Sequence, residues 1–208
     1  MKAHTRETQA TMTPEKALQF LKEGNERFQN NLKANRNLLE QVNDTSEGQF
    51  PFATILSCID SRVSAELVFD QGLGDVFSIR IAGNFINEDI LGSMEFASKL
   101  AGTKLIVVLG HTSCGAIKGA CDHARMGNLT ALINKIEPAV AAVKEPIDES
   151  LRNSKNLDFV DSVSAKNVLL SIENIRERSR ILADMEKDQE IMILGAMYDI
   201  STGKVDFY

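Results

Sequence analysis

The sequence lacks the features of several classes of protein. No apolar run approaches the roughly 20 residues that a helix needs to span a bilayer, so we expect no membrane partner. Lysine and arginine together number 23 against 29 aspartates and glutamates, which gives a net charge of -6. That balance argues against a nucleic-acid partner, because such a partner would require a basic face. There is also no internal repeat and no low-complexity segment.

Cysteine is scarce as well. Three cysteines, an odd number spread over 208 residues, make a poor disulfide framework. They fit a reducing compartment, where a cysteine more often binds a metal or takes part in catalysis. The first 16 residues contain no apolar stretch typical of a secretory signal. We therefore expect a cytoplasmic protein.

The composition that remains is typical of one globular domain. Hydrophobic residues make up 43% of the chain and charged residues 25%, which are ordinary values. A chain of 208 residues is long enough to bury a sizeable core. We expect a single domain over residues 1–208, with a helical N-terminal arm at 1–48 and an α/β core at 49–208.

The arm is predicted to be helical. A threonine–proline pair opens the helix predicted over 14–32, since threonine is a good N-cap and proline suits the first helical position. Leu18, Leu21 and Phe28 fall on one stripe of this helix. We expect a compact α/β core to offer that stripe no partner in the same chain, and the arm to pack on a neighbouring subunit.

The core shows strands that alternate with helices. The apolar runs PFATILS and KLIVVLG are rich in β-branched residues, as in strands buried on both faces of a sheet, and DVFSIRIAG is a third strand between them. Helical patterns cover 65–69, 88–101, 128–143 and 165–186, and the chain closes as a strand, a turn and a short returning strand. This order predicts an α/β fold with a mostly parallel central sheet flanked by helices.

Metal-binding side chains follow two of these strands. Cys58 and Asp60 come after the first, and His111 and Cys114 come after another. Ligands collect at the carboxyl ends of strands in open α/β sheets, so the four side chains should converge on one edge. Two thiolates and an imidazole favour tetrahedral Zn²⁺. Three firm ligands would mark a catalytic zinc, whereas Asp60 as a permanent fourth ligand would mark a structural one.

Arg62 bears on that choice. It lies two residues after Asp60, on the same side of an extended segment, where a guanidinium can hold the carboxylate bidentately and keep it ionised. An ionised carboxylate held off the metal can only accept a hydrogen bond.

Cys121 lies about 10.5 Å beyond Cys114 along a helix. With zinc–sulfur bonds of about 2.3 Å, the two thiols cannot share one ion.

The segments CIDSR and HTSCG, taken together, resemble the zinc signature of the β-class carbonic anhydrases. The resemblance covers about residues 49–118 and includes the segment FSIRIAGN between them. It implies the reversible hydration of CO₂ to bicarbonate and a proton by zinc-bound hydroxide. It also implies that Cys58, His111 and Cys114 hold the Zn²⁺ ion.

The same resemblance implies roles for further residues. Asp60 and Arg62 would form the catalytic dyad, with Asp60 a fourth zinc ligand only in a closed state. The protein would be a homodimer or homotetramer. The residues that would bind CO₂ or bicarbonate are Gln49, Phe77, Ala82 and Phe96.

The sequence departs from the family pattern at several positions. The chain has no tryptophan, and Ile55 stands where the bicarbonate-inhibited members of the family carry one, although Arg80 matches the arginine of their noncatalytic bicarbonate site. This argues against the full noncatalytic site. Ala116 replaces a common glycine, and RIAGN replaces the more usual RNVAN, so we expect small adjustments of the pocket.

Two alternatives stay open at this point. One is a hydrolase that uses the same zinc site on a related small molecule such as CS₂. The other is a non-catalytic, zinc-stabilised module in which Asp60 is a permanent fourth ligand. Access to the site would discriminate the CS₂ hydrolase from an enzyme that hydrates CO₂. Catalysis by the metal-loaded protein would discriminate an enzyme from the non-catalytic module.

Overall fold

The structure is a computed structural model that describes residues 2–208. Within that range it contains five strands and nine α-helices. The strands are β1 (Ala53–Ser57), β2 (Val76–Arg80), β3 (Leu105–His111), β4 (Met192–Tyr198) and β5 (Val205–Phe207). The helices are α1 (Arg6–Ala10), α2 (Pro14–Gln29), α3 (Leu38–Asp44), α4 (Ala65–Val68), α5 (Glu88–Glu95), α6 (Gly115–Cys121), α7 (Gly127–Ala142), α8 (Leu157–Arg178) and α9 (Arg180–Lys187).

The strands form one mixed sheet in the order β2-β1-β3-β4-β5. The first four are parallel to their neighbours, and β5 pairs with β4 in the antiparallel direction. Every residue of β1 and β3 is buried, as their continuous apolar sequences predict. The predicted α/β class, with a mostly parallel sheet flanked by helices, is confirmed.

Helices cover both faces of the sheet. Successive residues of β1 point to opposite faces: Ile55 belongs to the apolar cluster that contains α2, and Leu56 to the cluster that contains α5, α8 and α9. A third cluster links α6, α7 and α8 around Ile117, Ile133 and Phe159. This last cluster borders the carboxyl edge of the sheet, because Cys58 and Cys114 belong to it.

Helix α2 is fixed to its own chain. Leu21 is fully buried against the sheet, and Leu18 and Phe28 pack on the same cluster. The Asn25 amide donates to the carbonyl oxygen of Gly203 at 2.9 Å and accepts the N–H of Val205 at 2.9 Å.

The apolar stripe of α2 therefore has a partner within its own chain, and the expectation of an unpartnered stripe is corrected. The core that covers it includes the C-terminal strand β5, which pairs with β4 at the edge of the sheet. Packing of the arm on a neighbouring subunit stays a prediction, as does the division of one domain at residues 48 and 49.

Several helix boundaries differ from their predictions. The helix predicted over 165–186 begins earlier and is divided at Ser179, whose hydroxyl accepts the Leu182 N–H at 3.2 Å and caps α9. Residues 96–100 form a π-helical turn after α5, and Gly102, with a φ of 83°, follows it. Among the described residues, no helix is both long and apolar enough to cross a bilayer.

Candidate metal centre

Two parallel strands and one helix deliver the three predicted metal ligands to one place. Cys58 directly follows β1, and His111 is the last residue of β3, its neighbour in the sheet. Cys114 follows three residues later as the N-cap of α6. All three therefore lie at the carboxyl edge of the parallel strands, where ligands collect in open α/β sheets.

The ligand atoms of these three residues are close together and buried. They lie within 4.8 Å of one another, and the Cys58 and Cys114 sulfurs are 3.9 Å apart. Two sulfurs bound to one tetrahedral zinc at about 2.3 Å would be separated by about 3.8 Å. The side chains are at most 3% exposed. The spacing thus fits a single ion.

The His111 ring is oriented for such an ion. Its Nδ1 lies 2.9 Å from the carbonyl oxygen of Thr112, which fixes the proton on Nδ1. Its Nε2 is buried and has no hydrogen-bond partner among residues 2–208. A buried nitrogen without a partner is costly unless something binds it, and a metal ion satisfies an imidazole in this tautomer.

The two thiols influence each other's ionisation. The hydrogen bond from Cys114 lowers the pKa of Cys58 to about 4, helped by His111 and by the Gly83 N–H, which lies 3.4 Å from the Cys58 sulfur. The same pairing, together with burial, raises the pKa of Cys114. Two adjacent thiolates repel each other, so a bound dication is what would let both lose their protons.

Asp60 and Arg62, which follow Cys58 by two and four residues, form a bidentate pair. Arg62 Nε donates to Oδ1 at 2.9 Å and Nη2 donates to Oδ2 at 2.7 Å, while the Arg62 N–H also donates to Oδ1 at 2.9 Å. These bonds hold the pKa of Asp60 far below its usual range. Both carboxylate oxygens are therefore engaged by Arg62.

Arg80 holds the same segment from the other side. Its Nε donates to the carbonyl oxygen of Cys58 at 3.0 Å, and its Nη2 donates to the carbonyl oxygen of Asp60 at 2.7 Å. Arg80 matches in sequence the arginine of the noncatalytic bicarbonate site, but here its guanidinium is hydrogen-bonded to the backbone of its own chain. Ile55 lies fully buried within β1.

The residues predicted to bind substrate are divided between two places. Ala82 lies in the turn after β2, next to Gly83, and is therefore beside the metal cluster. Gln49 is exposed and precedes the amino end of β1, the end opposite Cys58.

Phe77 and Phe96 also lie away from the cluster of their own chain. Phe77 pairs with Thr54, three positions before Ser57, which places it roughly 10 Å along the strand from the carboxyl end. Phe96 is 52% exposed, and its ring centroid is 6.2 Å from that of Phe77. One chain does not bring these aromatic residues and Gln49 to its own metal cluster.

Cys121 and Ala116 lie on α6, beyond the ligands. Cys121 is buried at the end of the helix and is not part of the metal cluster, and burial raises its pKa to about 11. It is therefore a neutral thiol of the core. Ala116 lies close to Gly83: a Cβ on Gly83 would approach that of Ala116 to 3.3 Å.

A set of polar residues that was not predicted from the sequence contacts the loops of this site. Asp161, Ser164 and Asn167 lie on α8 and bond to residues of the two ligand-bearing regions. Their spacing of three residues places them on one helix face. Polar side chains at that spacing within an otherwise apolar pattern were the available signal.

The structure is an α/β protein with a cluster of three residues that could hold a metal ion at the carboxyl edge of its sheet. A family model described as carbonic anhydrase matches residues 53–205. Carbonic anhydrase 2 of Mycobacterium tuberculosis is 34% identical over 197 residues, which cover 92% of this chain and 91% of the relative. The chain belongs to the carbonic anhydrase family, in its β class.

Solved structures of the same class share the fold. The β-carbonic anhydrase CcaA superposes with a TM-score of 0.72 at 27% identity, over 92% of this chain and 94% of that one. A structure described as one of two tetrameric β-carbonic anhydrases from Sordaria macrospora superposes with a TM-score of 0.68 at 20% identity, over 79% of this chain and 84% of that one. At that lower identity, the likeness shows the fold alone.

Proposed function

We propose that this chain catalyses the reversible hydration of CO₂ to bicarbonate and a proton, with Zn²⁺ held by Cys58, His111 and Cys114. The observation that carries the proposal is the buried Cys–His–Cys cluster with the ionised Asp60–Arg62 pair beside it. When bound, zinc would lower the pKa of water from its bulk value toward about 7 and so make a nucleophile available at neutral pH.

Asp60 and Arg62 would orient that nucleophile. An ionised Asp60 can only accept a hydrogen bond, so it selects a nucleophile that carries a proton and fixes its direction. Arg62 engages both carboxylate oxygens and holds Asp60 off the metal. This arrangement supports an open site, in which the fourth metal position is left for small molecules.

The two alternatives from the sequence have less support. A zinc-stabilised module would need Asp60 as a fourth ligand, but both of its oxygens are bonded to Arg62. What favours CO₂ over CS₂ is that the family model and the curated relatives at 33–34% identity are carbonic anhydrases.

The three free thiols, Cys58, Cys114 and Cys121, support a reducing cytoplasmic location.

A stopped-flow CO₂ hydration assay tests the proposal. We expect the zinc-loaded protein to hydrate CO₂, to lose that activity with a strong chelator, and to regain it when zinc is restored. The same preparation should leave CS₂ unchanged. Zinc-loaded protein that hydrates neither molecule would support the non-catalytic module, and hydrolysis of CS₂ alone would support the hydrolase.

We also propose that the chain works as a homodimer or larger assembly. Gln49, Phe77 and Phe96 lie away from the metal cluster of their own chain, so a second copy is what could bring them to a substrate pocket. Helix α3 adds exposed apolar side chains, with Leu38 56% and Leu39 77% exposed. A tetrameric structural neighbour is consistent with this assembly.

Light scattering at micromolar concentration should therefore show a dimer or larger species. The variant Leu39→Glu places a charge on the exposed face of α3 and should shift the protein toward the monomer, because a buried charge without a partner is costly. Ile147→Glu is the matched control, at a site 80% exposed in the loop after α7, and it should leave the oligomeric state unchanged. A monomeric, fully active wild type would contradict the proposal.

A further inference from the structure

Helix α8 carries a line of polar residues on a face that is otherwise apolar. Asp161, Ser164, Asn167 and Ser171 follow one another at spacings of three, three and four, which places them on one side of the helix. The last three are at most 4% exposed. Buried polar side chains are costly unless they are hydrogen-bonded, so the partners of this line show its purpose.

The first partners lie in the segment that joins two metal ligands. Asp161 Oδ1 accepts the N–H of Ser113 at 2.7 Å, and Ser164 Oγ donates to the carbonyl oxygen of His111 at 3.0 Å. Ser113 has a φ of 54°, in the left-handed region that a non-glycine residue enters only at a cost. The Asp161 bond therefore stabilises a strained turn that lies directly before Cys114.

The next partners lie beside the third ligand. Asn167 Nδ2 donates to the carbonyl oxygen of Gly83 at 2.8 Å, and the Gly83 N–H lies 3.4 Å from the Cys58 sulfur. Ser171 Oγ donates to the carbonyl oxygen of Asn84, the next residue, at 3.3 Å. One helix thus contacts the turn before Cys114, the backbone of His111 and the turn that faces Cys58.

From these contacts we infer that Asp161 and Asn167 are positioning residues of the metal site. They hold two separate turns at a fixed distance from one rigid helix of 22 residues, so that the three ligands stay close together before the ion binds. Residues that orient metal ligands typically change metal affinity by about 10–100-fold when they are removed. This role rests on the proposed metal site. Part of the zinc affinity of that site would depend on α8, a helix that provides no ligand.

Zinc affinity of the purified chain tests this inference, measured by competition with a chromophoric chelator. We expect Asp161→Ala and Asn167→Asp each to weaken zinc binding by about 10–100-fold. Asp161→Asn keeps an oxygen that can accept the Ser113 N–H, so it should retain most of the wild-type affinity. Glu173→Ala, which removes an exposed acidic side chain from the same helix, is the control and should bind zinc as the wild type does.

Urea unfolding of the metal-free variants separates positioning from a general loss of structure. We expect Asp161→Ala and Asn167→Asp to lose zinc affinity while they remain folded without metal. The loss of affinity should be larger than the loss of stability that their urea midpoints show. Wild-type affinity in both folded variants would overturn the inference. So would an equal loss in Asp161→Asn and Asp161→Ala. A wild-type chain that binds no zinc would instead contradict the proposed metal site.

Discussion

Replacing Cys58 with serine should release the metal from this protein and abolish CO₂ hydration, whereas replacing Cys121 with serine should do neither. Cys58 lies 3.9 Å from the Cys114 sulfur in the buried cluster, and Cys121 lies outside it. A serine hydroxyl is neither soft nor ionised at neutral pH, so two of three ligands would remain. The loss of affinity should exceed the roughly 100-fold that removal of an outer partner costs.

Elemental analysis and stopped-flow rates on the same samples measure both effects. Both variants change one sulfur to oxygen at a buried position, with Cys58 and Cys121 each 3% exposed, so they are matched in size and burial. Cys58→Ser should contain little zinc and hydrate CO₂ at the rate of the chelator-treated protein. Equal zinc in the two variants would overturn the ligand assignment.

The sequence predicts the sheet well because its signals there are local and strong. The runs that became β1 and β3 are apolar throughout, and such runs form strands buried on both faces. Once the strands are parallel, Cys58 and His111 must meet at one edge. The proximity of the cluster could therefore be predicted without any knowledge of side-chain positions.

Other features depend on contacts between distant parts of the chain, and the sequence did not reveal them. The stripe of α2 packs on a cluster that includes β5 of its own chain, where the Asn25 amide oxygen accepts the N–H of Val205, 180 residues later. The division of α8 from α9 depends on Ser179, whose hydroxyl also donates to Glu95 at 2.6 Å. Neither a helical pattern nor a strand pattern encodes such pairings.

The place of the substrate residues shows the same limit. The resemblance named Gln49 and Phe77 for one pocket with the metal ligands, yet in a single chain they lie toward the opposite end of β1 and β2. A sequence read as one chain cannot say which residues a second copy supplies. The Asp60–Arg62 pair was expected from a separation of two residues in an extended segment, and the pair does form. Its backbone is different, because Ser61 and Arg62 lie in a turn that the Val63 N–H closes by donating to the Asp60 carbonyl oxygen at 3.0 Å.

Asp60→Asn should lower kcat by about 10²-fold while zinc content stays at the wild-type level, because the site would keep its ligands and lose the group that orients the nucleophile. The ionised carboxylate only accepts hydrogen bonds, so it selects a nucleophile that carries a proton. The asparagine amide can donate as well as accept, so it would lose that selection. Its amide nitrogen also cannot accept the Arg62 bond that Oδ2 accepts at 2.7 Å.

Arg62→Lys tests how Asp60 is held. The Arg62 side chain is 51% exposed, so solvent screens the charge of the pair, and the two parallel bonds of the guanidinium matter more than burial. Lysine keeps the charge but makes no such fork, so kcat should fall by less than in Asp60→Asn, by about 10-fold.

The position of Asp60 in a zinc-loaded crystal structure above pH 7 completes the test. Asp60 should be bonded to Arg62 there, as it is in the present structure, with a small molecule in the fourth metal position. An Asp60 oxygen at about 2.0 Å from zinc would show that the carboxylate is a ligand and that the site is closed. In that case Asp60→Asn would change metal binding as well as turnover, and an unchanged zinc content with a reduced kcat is the outcome that an orienting role requires.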